Sequence, residues 1–302
     1  MMEGFRLRVD AAGDGARLDR FLRLALPALP PRSVDYAIAS GQVSVGGARA
    51  AKGRIVRSGE DVAVRSIPED ADWLPEAGEL PGASILFEDE SVTVLEKPAG
   101  VHTEPHRPRE PGTLAGYLLH RHPGVASFSR PPGLSLLARL DFAVSGAVPA
   151  ALSAEALEFL VREREAGRMR KVYACLVAGR VAGETTVSFS IESRGGEKVR
   201  VRKDRGEPDP RYWTSVSPIR AAGDLTLVRA TIAKGRRHQV RAHLAAAGFP
   251  IVGDGLYAPR PIGAPAGGRL MLHAAEVSFL HPARREPVTV VSPLPAGFDI
   301  TG

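Results

Sequence analysis

Residues 136–146 read LLARLDFAVSG, a stretch that places one carboxylate, Asp141, among apolar residues and shortly before a glycine. The leucines at 136, 137 and 140 predict that this stretch lies at the edge of a hydrophobic core. Burying a carboxylate costs several kcal/mol unless a cation or hydrogen-bond donors compensate. Arg139 is too close along the chain to be the whole compensation, so we expect a partner for Asp141 elsewhere.

The composition indicates a globular chain with a mild basic excess. The chain has 302 residues, of which 44% are hydrophobic, enough for one large core and a smaller unit. Lys and Arg number 40 against 34 Asp and Glu, which gives a formal charge of +6 and a pI near 9.8. This excess favours an anionic partner.

Cysteine content and hydropathy exclude several classes of protein. The single Cys175 excludes an internal disulfide framework and supplies too few thiolates for a zinc or iron–sulfur site. No apolar run approaches the roughly 20 residues that cross a bilayer, and the first residues lack a signal-peptide pattern. We therefore expect no metal site, no membrane contact and a cytoplasmic protein.

Residues 1–66 are predicted to form a small α+β unit. Apolar spacing predicts a helix over residues 17–26, which the prolines between residues 27 and 31 end. Ser33 is the predicted N-cap of a second helix, Gly41 stops it, and short alternating strands follow. The many arginines of this unit form either a solvated face or a surface for an anionic ligand, and composition leaves both open.

A change of composition marks a domain boundary. Residues 67–83 carry Pro and Gly among acidic residues, which is typical of a linker. Residues 84–302 follow as the larger unit, in which helices are predicted near residues 114–119, after the N-cap Ser153, and over residues 235–248. Apolar patterning predicts strands over residues 85–87, 92–95, 171–177, 186–191, 214–219 and 225–232.

The predicted helix over residues 235–248 supplies candidate partners for Asp141. Arg237 and Arg241 are four residues apart and His238 and Arg241 are three apart, so these cations converge for a carboxylate or a phosphate. His238 and His243 are five apart and do not share a helix face, which argues against a zinc pair. The alternative is an exposed basic helix.

Two further segments are open to two interpretations each. Tyr173, on a predicted strand, is either a core tyrosine or a ring that stacks on a flat ligand. The sequence KPAG at residues 97–100 is either a plain turn or a stiff turn beside a pocket. Neither segment decides the function by itself.

Taken together and in order, these segments resemble the RluA-type pseudouridine synthases over residues 84–295. The Arg139-Leu140-Asp141 segment is the most specific part of this likeness. The motifs are KPAG at 97–100, RLD at 139–141, SG at 145–146, KVY at 171–173, GR at 235–236, HQVR at 238–241, PIVGD at 250–254, LHA at 272–274 and HP at 281–282. Residues 15–65 resemble the S-four type RNA-binding domain, a common companion in that family.

The resemblance implies a fold, a reaction and a partner. The fold is α+β, with a catalytic domain built on a bent, mostly antiparallel mixed sheet with flanking helices, plus the small α+β RNA-binding domain. The reaction is the isomerisation of uridine to pseudouridine in structured RNA, ribosomal before transfer RNA, without a cofactor. The target base is extruded from its stack, because the chemistry cannot reach a stacked uridine. A monomer is expected.

The resemblance also implies roles for single residues. Asp141 matches the family's nucleophile, Arg241 its ion-pair partner, and Tyr173 the tyrosine that stacks on the target base and takes a proton from it. Arg139 matches the residue that fills the RNA stack in place of the extruded nucleotide. Whether the carboxylate attacks the base or the ribose is left open. The remaining expected substrate contacts are Lys97, Arg236, Arg237, His238 and Gln239.

The chain departs from the family pattern close to Asp141. Ala138 stands where the family has His, and both Val144 and Arg237 stand where it has Thr. Pro149 lies in a segment that is a strand in the family, although proline cannot donate to a ladder. These departures motivate a rival hypothesis, an RNA-binding protein with the same fold and weakened catalysis. A carboxylate-dependent hydrolase is a third hypothesis, but no second acid stands at a fixed spacing from Asp141.

Overall fold

The computed structural model of the chain describes residues 1–193, 196–258 and 268–299. Three parts of the predicted unit 84–302 lie outside the described residues, namely 194–195, 259–267 and 300–302. The described strands form a four-stranded sheet, a nine-stranded sheet and a two-stranded ribbon. Each of the two larger sheets has its own hydrophobic core.

Four strands and two helices form the N-terminal unit. They are β1 (Met2–Arg8), α1 (Leu18–Ala25), α2 (Pro31–Ala39), β2 (Val43–Val45), β3 (Ala48–Arg49) and β4 (Asp61–Ile67). The sheet order is β1-β4-β2-β3, and every pair is antiparallel. Leu18, Leu22 and Val34 on the helices are fully buried in the core shared with the sheet. The predicted α+β character of this unit is confirmed, with β1 as an additional strand.

One detail predicted for this unit is wrong, the N-cap of the second helix. Helix α2 begins at Pro31 with Pro30 in the N-cap position, so these prolines start a helix and Ser33 does not cap it. Proline suits the first turn because its missing N–H would have no partner there. Ser33 is instead fully buried, and its hydroxyl accepts a hydrogen bond from Nε1 of Trp73 at 2.9 Å.

The segment predicted as a linker contributes to the core of the molecule. Asp70–Trp73 form a short 3-10 helix, and the buried Trp73 ring packs edge-on against Tyr36 with 5.9 Å between centroids. Arg32 Nη2 also donates to the Pro131 carbonyl oxygen at 3.0 Å, which links α2 to the larger unit. The composition missed this role because one large aromatic ring can anchor an otherwise polar segment.

The larger unit is built on the nine-stranded sheet. Along the sheet the order is β5-β6-β7-β14-β8-β13-β12-β9, with β15 paired to β14, and of the described pairs only β7 with β14 is parallel. The mostly antiparallel mixed sheet is therefore confirmed. The elements are β5 (Ser84–Glu88), β6 (Val92–Lys97), α3 (Leu114–Arg121), β7 (Ser145–Ala151), α4 (Ala154–Glu165), β8 (Arg170–Ala178), β9 (Thr185–Val187), β10 (Phe189–Glu192), β11 (Arg200–Gly206), β12 (Thr214–Ala222), β13 (Leu225–Ile232), α5 (Gln239–Ala246), β14 (Leu272–Leu280) and β15 (Pro287–Val291).

Strands β8 and β7 differ from their sequence predictions. The pattern of β8 predicts burial on one face, yet residues 172–177 are all buried, since the strand pairs with β13 and β14 in the middle of the sheet. Pro149 lies inside β7, and its carbonyl oxygen accepts from the Leu137 N–H at 2.8 Å. The N–H and C=O of one residue in an antiparallel strand point to the same side, so the missing donor faces the Leu137 segment and not β6.

One predicted strand is two strands. The stretch 186–191 is divided at Ser188 into β9, which joins the large sheet, and β10, which pairs with β11 in the separate ribbon. A single apolar pattern cannot report that its two halves pair with different partners, because pairing is decided by chain segments far away along the sequence.

Candidate active site

Asp141 lies on a loop whose backbone is fixed from two neighbouring segments. Thr103 Oγ1 donates to the Leu140 carbonyl oxygen at 2.8 Å and accepts from the Leu140 N–H at 3.0 Å. The Gly100 N–H donates to the Phe142 carbonyl oxygen at 2.8 Å. Asp141 is thus held between two residues that each have a fixed backbone position, and this suits a group that must meet a substrate in one geometry.

Lys97 lies beneath this loop and not in the cleft, which corrects its expected contact with a substrate. The side chain is fully buried, and Nζ donates to the carbonyl oxygens of Pro98, Phe142 and Val144 at 2.9, 3.3 and 2.7 Å. Burial lowers the pKa of Lys97 to about 8, against the opposing charges of Asp141 and Glu96. Lys97 therefore holds the loop in place.

Arg241 binds two carboxylates in an inner cluster, which we define as Asp141, His238, Arg241 and Asp254. Arg241 Nη1 donates to Asp141 Oδ2 at 2.7 Å, while Nε and Nη2 donate to the two oxygens of Asp254 at 2.8 and 2.9 Å. The side chains of Arg241 and Asp254 are 11% and 0% exposed. The structure brings Arg241 to Asp141 and adds Asp254, for which no role was predicted.

Hydrogen bonds keep Arg241 and Asp254 charged in spite of their burial. Burial acts to lower the pKa of Arg241, but hydrogen bonds to Asp254 and Asp141 raise it above its usual range. Burial acts to raise the pKa of Asp254, but hydrogen bonds from Arg241 and from the N–H groups of Tyr257 and Leu256 leave it below its usual value. Both groups are ionised at neutral pH, so Asp141 faces a permanent cation.

His238 also approaches Asp141. Its Nε2 lies 3.7 Å from Asp141 Oδ2, and its Nδ1 lies 2.9 Å from the Tyr257 hydroxyl. Burial lowers the pKa of His238, and Arg241 lowers it further, although the charge of Asp141 acts in the opposite direction. A neutral imidazole therefore stands beside the carboxylate, and Arg241 supplies the positive charge.

The helix predicted to begin at residue 235 begins four residues later. His238 occupies the N-cap of α5 with φ +56°, so Arg236 and Arg237 precede the helix. The predicted convergence of Arg237 with Arg241 on one helix face is therefore wrong. The Arg237 guanidinium instead donates to the carbonyl oxygens of Gly196 and Glu197, both at 2.9 Å. Sequence spacing failed because a left-handed residue interrupts the helical pattern.

Gln239 lies at the cleft wall with a side chain occupied by structural contacts. Its Oε1 accepts from the Arg236 N–H at 2.9 Å, and its Nε2 donates to the Tyr212 carbonyl oxygen at 2.9 Å and to Thr214 Oγ1 at 3.2 Å. The side chain is buried. Its expected contact with a substrate is therefore corrected to a role in fixing the start of α5.

Two outer pairs lie in the more exposed part of the cleft, Arg139 with Glu104 and Arg236 with Glu207. Arg139 Nη1 lies 2.5 Å from Glu104 Oε1, and the Arg139 side chain is 72% exposed. Arg236 Nη2 lies 2.9 Å from Glu207 Oε2, and its guanidinium stacks 4.1 Å above the Tyr212 ring. The exposed Arg139 makes a pair of the kind that contributes about 0 to 1 kcal/mol, so an anionic ligand can displace it. In the second pair Glu207 is only 7% exposed, and Arg236 is the more accessible partner.

Tyr173 lies on β8 and lines the same cleft as Asp141. Its hydroxyl has no hydrogen-bond partner among the residues that the structure describes. Burial raises the pKa of Tyr173, and the nearby charge of Asp141 raises it further. A phenol in this setting is neutral and presents its ring to the cleft.

The cleft brings most of the predicted site residues together. It has a volume of about 1000 Å³ and is lined by Arg139, Asp141, Tyr173, Arg236, Arg237, His238, Gln239 and Arg241. Sequence reasoning missed Thr103, Glu104 and Asp254, because the first two lie in a stretch of Pro, Gly and His without a periodic pattern. The only sequence signal for Asp254 was its place at the end of the PIVGD motif at residues 250–254.

The described part of the chain contains neither a metal-binding cluster nor a helix that could span a membrane. Over residues 1–193, 196–258 and 268–299, no group of three or more His, Cys, Asp or Glu side chains is placed to hold a metal ion. In the same residues no helix combines the length and the apolar character needed to cross a membrane. His243 bonds instead to Thr214 and the Phe189 carbonyl, away from His238.

Comparison with known proteins shows the family of this chain. Residues 91–246 match the profile of the family described as RNA pseudouridylate synthase. A ribosomal large subunit pseudouridine synthase D of Xylella fastidiosa is 31% identical over 93% of this chain and 86% of its own. An uncharacterized RNA pseudouridine synthase of Chloroflexus aurantiacus is 34% identical over 94% of this chain and 88% of its own. The chain belongs to the RNA pseudouridylate synthase family.

A solved structure supports the same assignment. Human RNA pseudouridylate synthase domain containing 1 is similar to this chain with a TM-score of 0.53 and 27% sequence identity, over 72% of this chain and 86% of its own. The predicted fold class and reaction class are therefore confirmed. The protein is an isomerase that converts uridine to pseudouridine in RNA.

Proposed function

We propose that this enzyme modifies uridine in ribosomal RNA with Asp141 as its nucleophile. The observation that carries the proposal is the Asp141 carboxylate in the cleft, held at 2.7 Å by the buried Arg241 guanidinium. Several relatives, including the Xylella fastidiosa protein, are named as acting on the large ribosomal subunit, which favours ribosomal over transfer RNA. The protein acts as a monomer in the cytoplasm.

The two oxygens of Asp141 are suited to different tasks. Oδ2 accepts from Arg241, while Oδ1 accepts no hydrogen bond from any residue that the structure describes. The side chain is 28% exposed, so a ligand in the cleft can approach it. Oδ1 is the attacking atom in this proposal, and the hydrogen bond from Arg241 to Oδ2 holds the carboxylate in position.

Tyr173 packs its ring against the uracil while the base turns. In the net reaction the bond from the ribose to ring nitrogen breaks, a bond to ring carbon forms, and one proton leaves that carbon while another joins the nitrogen. A tyrosine with a raised pKa is neutral at the start, so it is a poor proton acceptor in the free enzyme. We therefore assign Tyr173 the packing role, which uses its ring and not its hydroxyl.

The outer pairs and neighbouring cations hold the RNA. Arg139 exchanges Glu104 for the RNA stack and fills the gap that the extruded uridine leaves. Arg236, Arg237 and Lys171 line the cleft and bind backbone phosphates. The resemblance of residues 15–65 to an RNA-binding domain adds a second contact on the same substrate. Such binding is strongly dependent on salt.

The departures near Asp141 are compatible with an active enzyme. Val144 is 2% exposed with its side chain in the main core, and its carbonyl oxygen still accepts from Lys97. Ala138 packs against that core as well. Both residues contact the core although they also line the cleft, and the backbone of the loop is held by Thr103 and Lys97. This favours catalysis over the weakened RNA-binding alternative.

The test is to map pseudouridine in unmodified transcripts of ribosomal RNA and transfer RNA after incubation with the purified protein. We expect pseudouridine at one or a few uridines of the large-subunit transcript with the native chain, and none with Asp141→Asn. Pseudouridine in transfer RNA alone would overturn the ribosomal assignment. No product on any transcript would favour the RNA-binding alternative.

A further inference from the structure

Phe142 is an exposed aromatic residue on a loop with a fixed backbone. It follows Asp141 directly, lines the cleft and is 53% exposed. Its carbonyl oxygen accepts hydrogen bonds from the Gly100 N–H at 2.8 Å and from the Lys97 ammonium at 3.3 Å. The ring is thus held toward the cleft by contacts that do not involve the ring itself, and its apolar surface is left in water.

Two imidazole rings extend this surface. The His102 and Phe142 centroids are 4.9 Å apart with planes tilted by 58°. His106 stacks on His102 with 4.0 Å between centroids and planes 10° apart. All three side chains line the cleft, and we call these three residues the aromatic ledge.

A buried carboxylate, Glu110, holds the His102 ring and the His106 backbone. Glu110 Oε1 lies 2.9 Å from His102 Nδ1, and Glu110 Oε2 accepts from the His106 N–H at 2.6 Å. The His102 carbonyl oxygen accepts from the Leu114 N–H at the start of α3. Because these rings are ordered before any ligand arrives, a ligand that stacks on them orders few further groups.

We propose that the aromatic ledge binds, by stacking, an unpaired base of the RNA next to the target uridine. The proposal rests on the proposed function, since it requires that the target uridine reaches Asp141. Phe142 directly follows Asp141, and consecutive Cα atoms are about 3.8 Å apart, so the ledge lies within reach of a nucleotide bonded to the target uridine. Every base has a flat face that stacks on an aromatic ring, whatever its sequence.

The ledge has a consequence for the choice of substrate. A base can stack on protein only when it has left its own helix, because a paired base presents its edges and not its faces. The preferred target is therefore a uridine in a loop or bulge whose neighbour is also unpaired. The neighbouring nucleotide is selected because it is unpaired and not because of which base it carries.

The test compares Phe142→Ala with Ile219→Ala in binding and in turnover. Ile219 on β12 is 54% exposed and does not line the cleft, which makes it a matched control for loss of an exposed apolar side chain. The probe is an RNA hairpin that carries the uridine mapped above, or, if none is mapped, a hairpin with one uridine in its loop. Two further versions carry an abasic nucleotide immediately 5′ or 3′ of that uridine.

We expect Phe142→Ala to weaken binding and raise KM by about ten-fold, within the range for one stacked base. Ile219→Ala matches the native protein, and Phe142→Trp restores binding. The native protein binds one of the two abasic hairpins more weakly by a similar factor, and Phe142→Ala does not reduce the affinity for that hairpin further.

Three outcomes would overturn the ledge. The first is native affinity of Phe142→Ala for the intact hairpin. The second is that Phe142→Ala loses as much affinity for both abasic hairpins as for the intact one. The third is a lower kcat with unchanged affinity, which would mean that the ring only positions Asp141. The binding comparison needs no turnover. A native protein that binds in this Phe142-dependent manner but forms no pseudouridine would overturn the proposed function and support the ledge.

Discussion

The inner cluster and the outer pairs contain the same kinds of groups in opposite environments. Arg241 is 11% exposed and joins two carboxylates through three hydrogen bonds, whereas Arg139 is 72% exposed and meets Glu104 alone. Little water separates the charges inside, so breaking a pair there is costly, while solvent and salt weaken a pair outside. The buried arginine is suited to hold a catalytic group in place, and the exposed one to change partners when RNA arrives.

The largest expected effect follows from the centre of the inner cluster. Asp141→Asn removes the proposed nucleophile and keeps the size of the side chain, so we expect pseudouridine formation to fall by at least about 10³-fold. Binding of the RNA transcript stays close to native, because the outer pairs and the ledge are untouched. Product is measured by mapping and affinity by filter binding. Native turnover by this variant would remove Asp141 from the proposed mechanism.

Arg241→Met tests whether the inner cluster is a unit. It leaves the fully buried Asp254 without its cation, and we expect a loss of about 3–5 kcal/mol in the free energy of unfolding, together with loss of activity. The measurement is urea unfolding at pH 7. The control is the double variant Arg241→Met, Asp254→Asn, which recovers stability without recovering turnover. Equal stability of the single variant and the native protein would contradict the comparison.

The buried His273 contacts Ser145, just after the Asp141 loop, and it should make the free energy of unfolding depend on pH. Its Nδ1 lies 2.8 Å from Ser145 Oγ and its Nε2 lies 2.8 Å from Ser292 Oγ, and burial lowers its pKa to about 4 from 6.5. Between these two pKa values His273 is protonated in the unfolded chain and neutral in the folded chain. The free energy of unfolding therefore falls as the pH falls from about 6.5 to about 4.

The variant His273→Gln isolates this effect. The stability of the native protein relative to the variant should decline by roughly 1.4 kcal/mol per pH unit across the window, as measured by urea unfolding at pH 4, 5, 6 and 7. A constant difference would mean that the folded imidazole accepts its proton as readily as the unfolded one.

The smallest effect on stability is expected at the outer pairs. Arg139→Ala should change the free energy of unfolding by no more than about 1 kcal/mol, yet lower kcat/KM on structured RNA, because the gap left by the extruded uridine stays unfilled. Glu104→Gln serves as the control, since it frees Arg139 and keeps its charge. A large loss of stability in Arg139→Ala would erase the distinction between the two regions.

Much of the site could be predicted from the sequence because its key residues lie in short, local motifs. Arg139, Asp141, Tyr173 and Arg241 each fall in a short motif, the motifs taken together and in order indicated the site, and the structure places all four residues in one cleft. Residues whose role depends on distant partners were misassigned. Lys97 and Gln239 carry polar groups that suit a substrate, but their bonds are made to backbone atoms of other segments.

The fold shows the same division between local and distant causes. Helix α4 and its N-cap Ser153 follow from local spacing and capping, and the Ser153 side chain accepts from the Ala156 N–H as expected. The start of α5 and the division of β9 from β10 do not, because they depend on a left-handed His238 and on pairing with separate sheets. Local rules carry no information about either.

By itself the sequence determined that an acid stands in an apolar loop, that basic residues recur along the chain, and that the order of the motifs is that of an RNA-modifying isomerase. Only the tertiary structure decided that Asp254 anchors Arg241, that Lys97 supports the loop from below, and that Phe142 faces the cleft beside two stacked imidazoles. The physical reason is that spacing fixes which side chains share one helix or strand, whereas burial and hydrogen-bond partners depend on segments brought together from far apart.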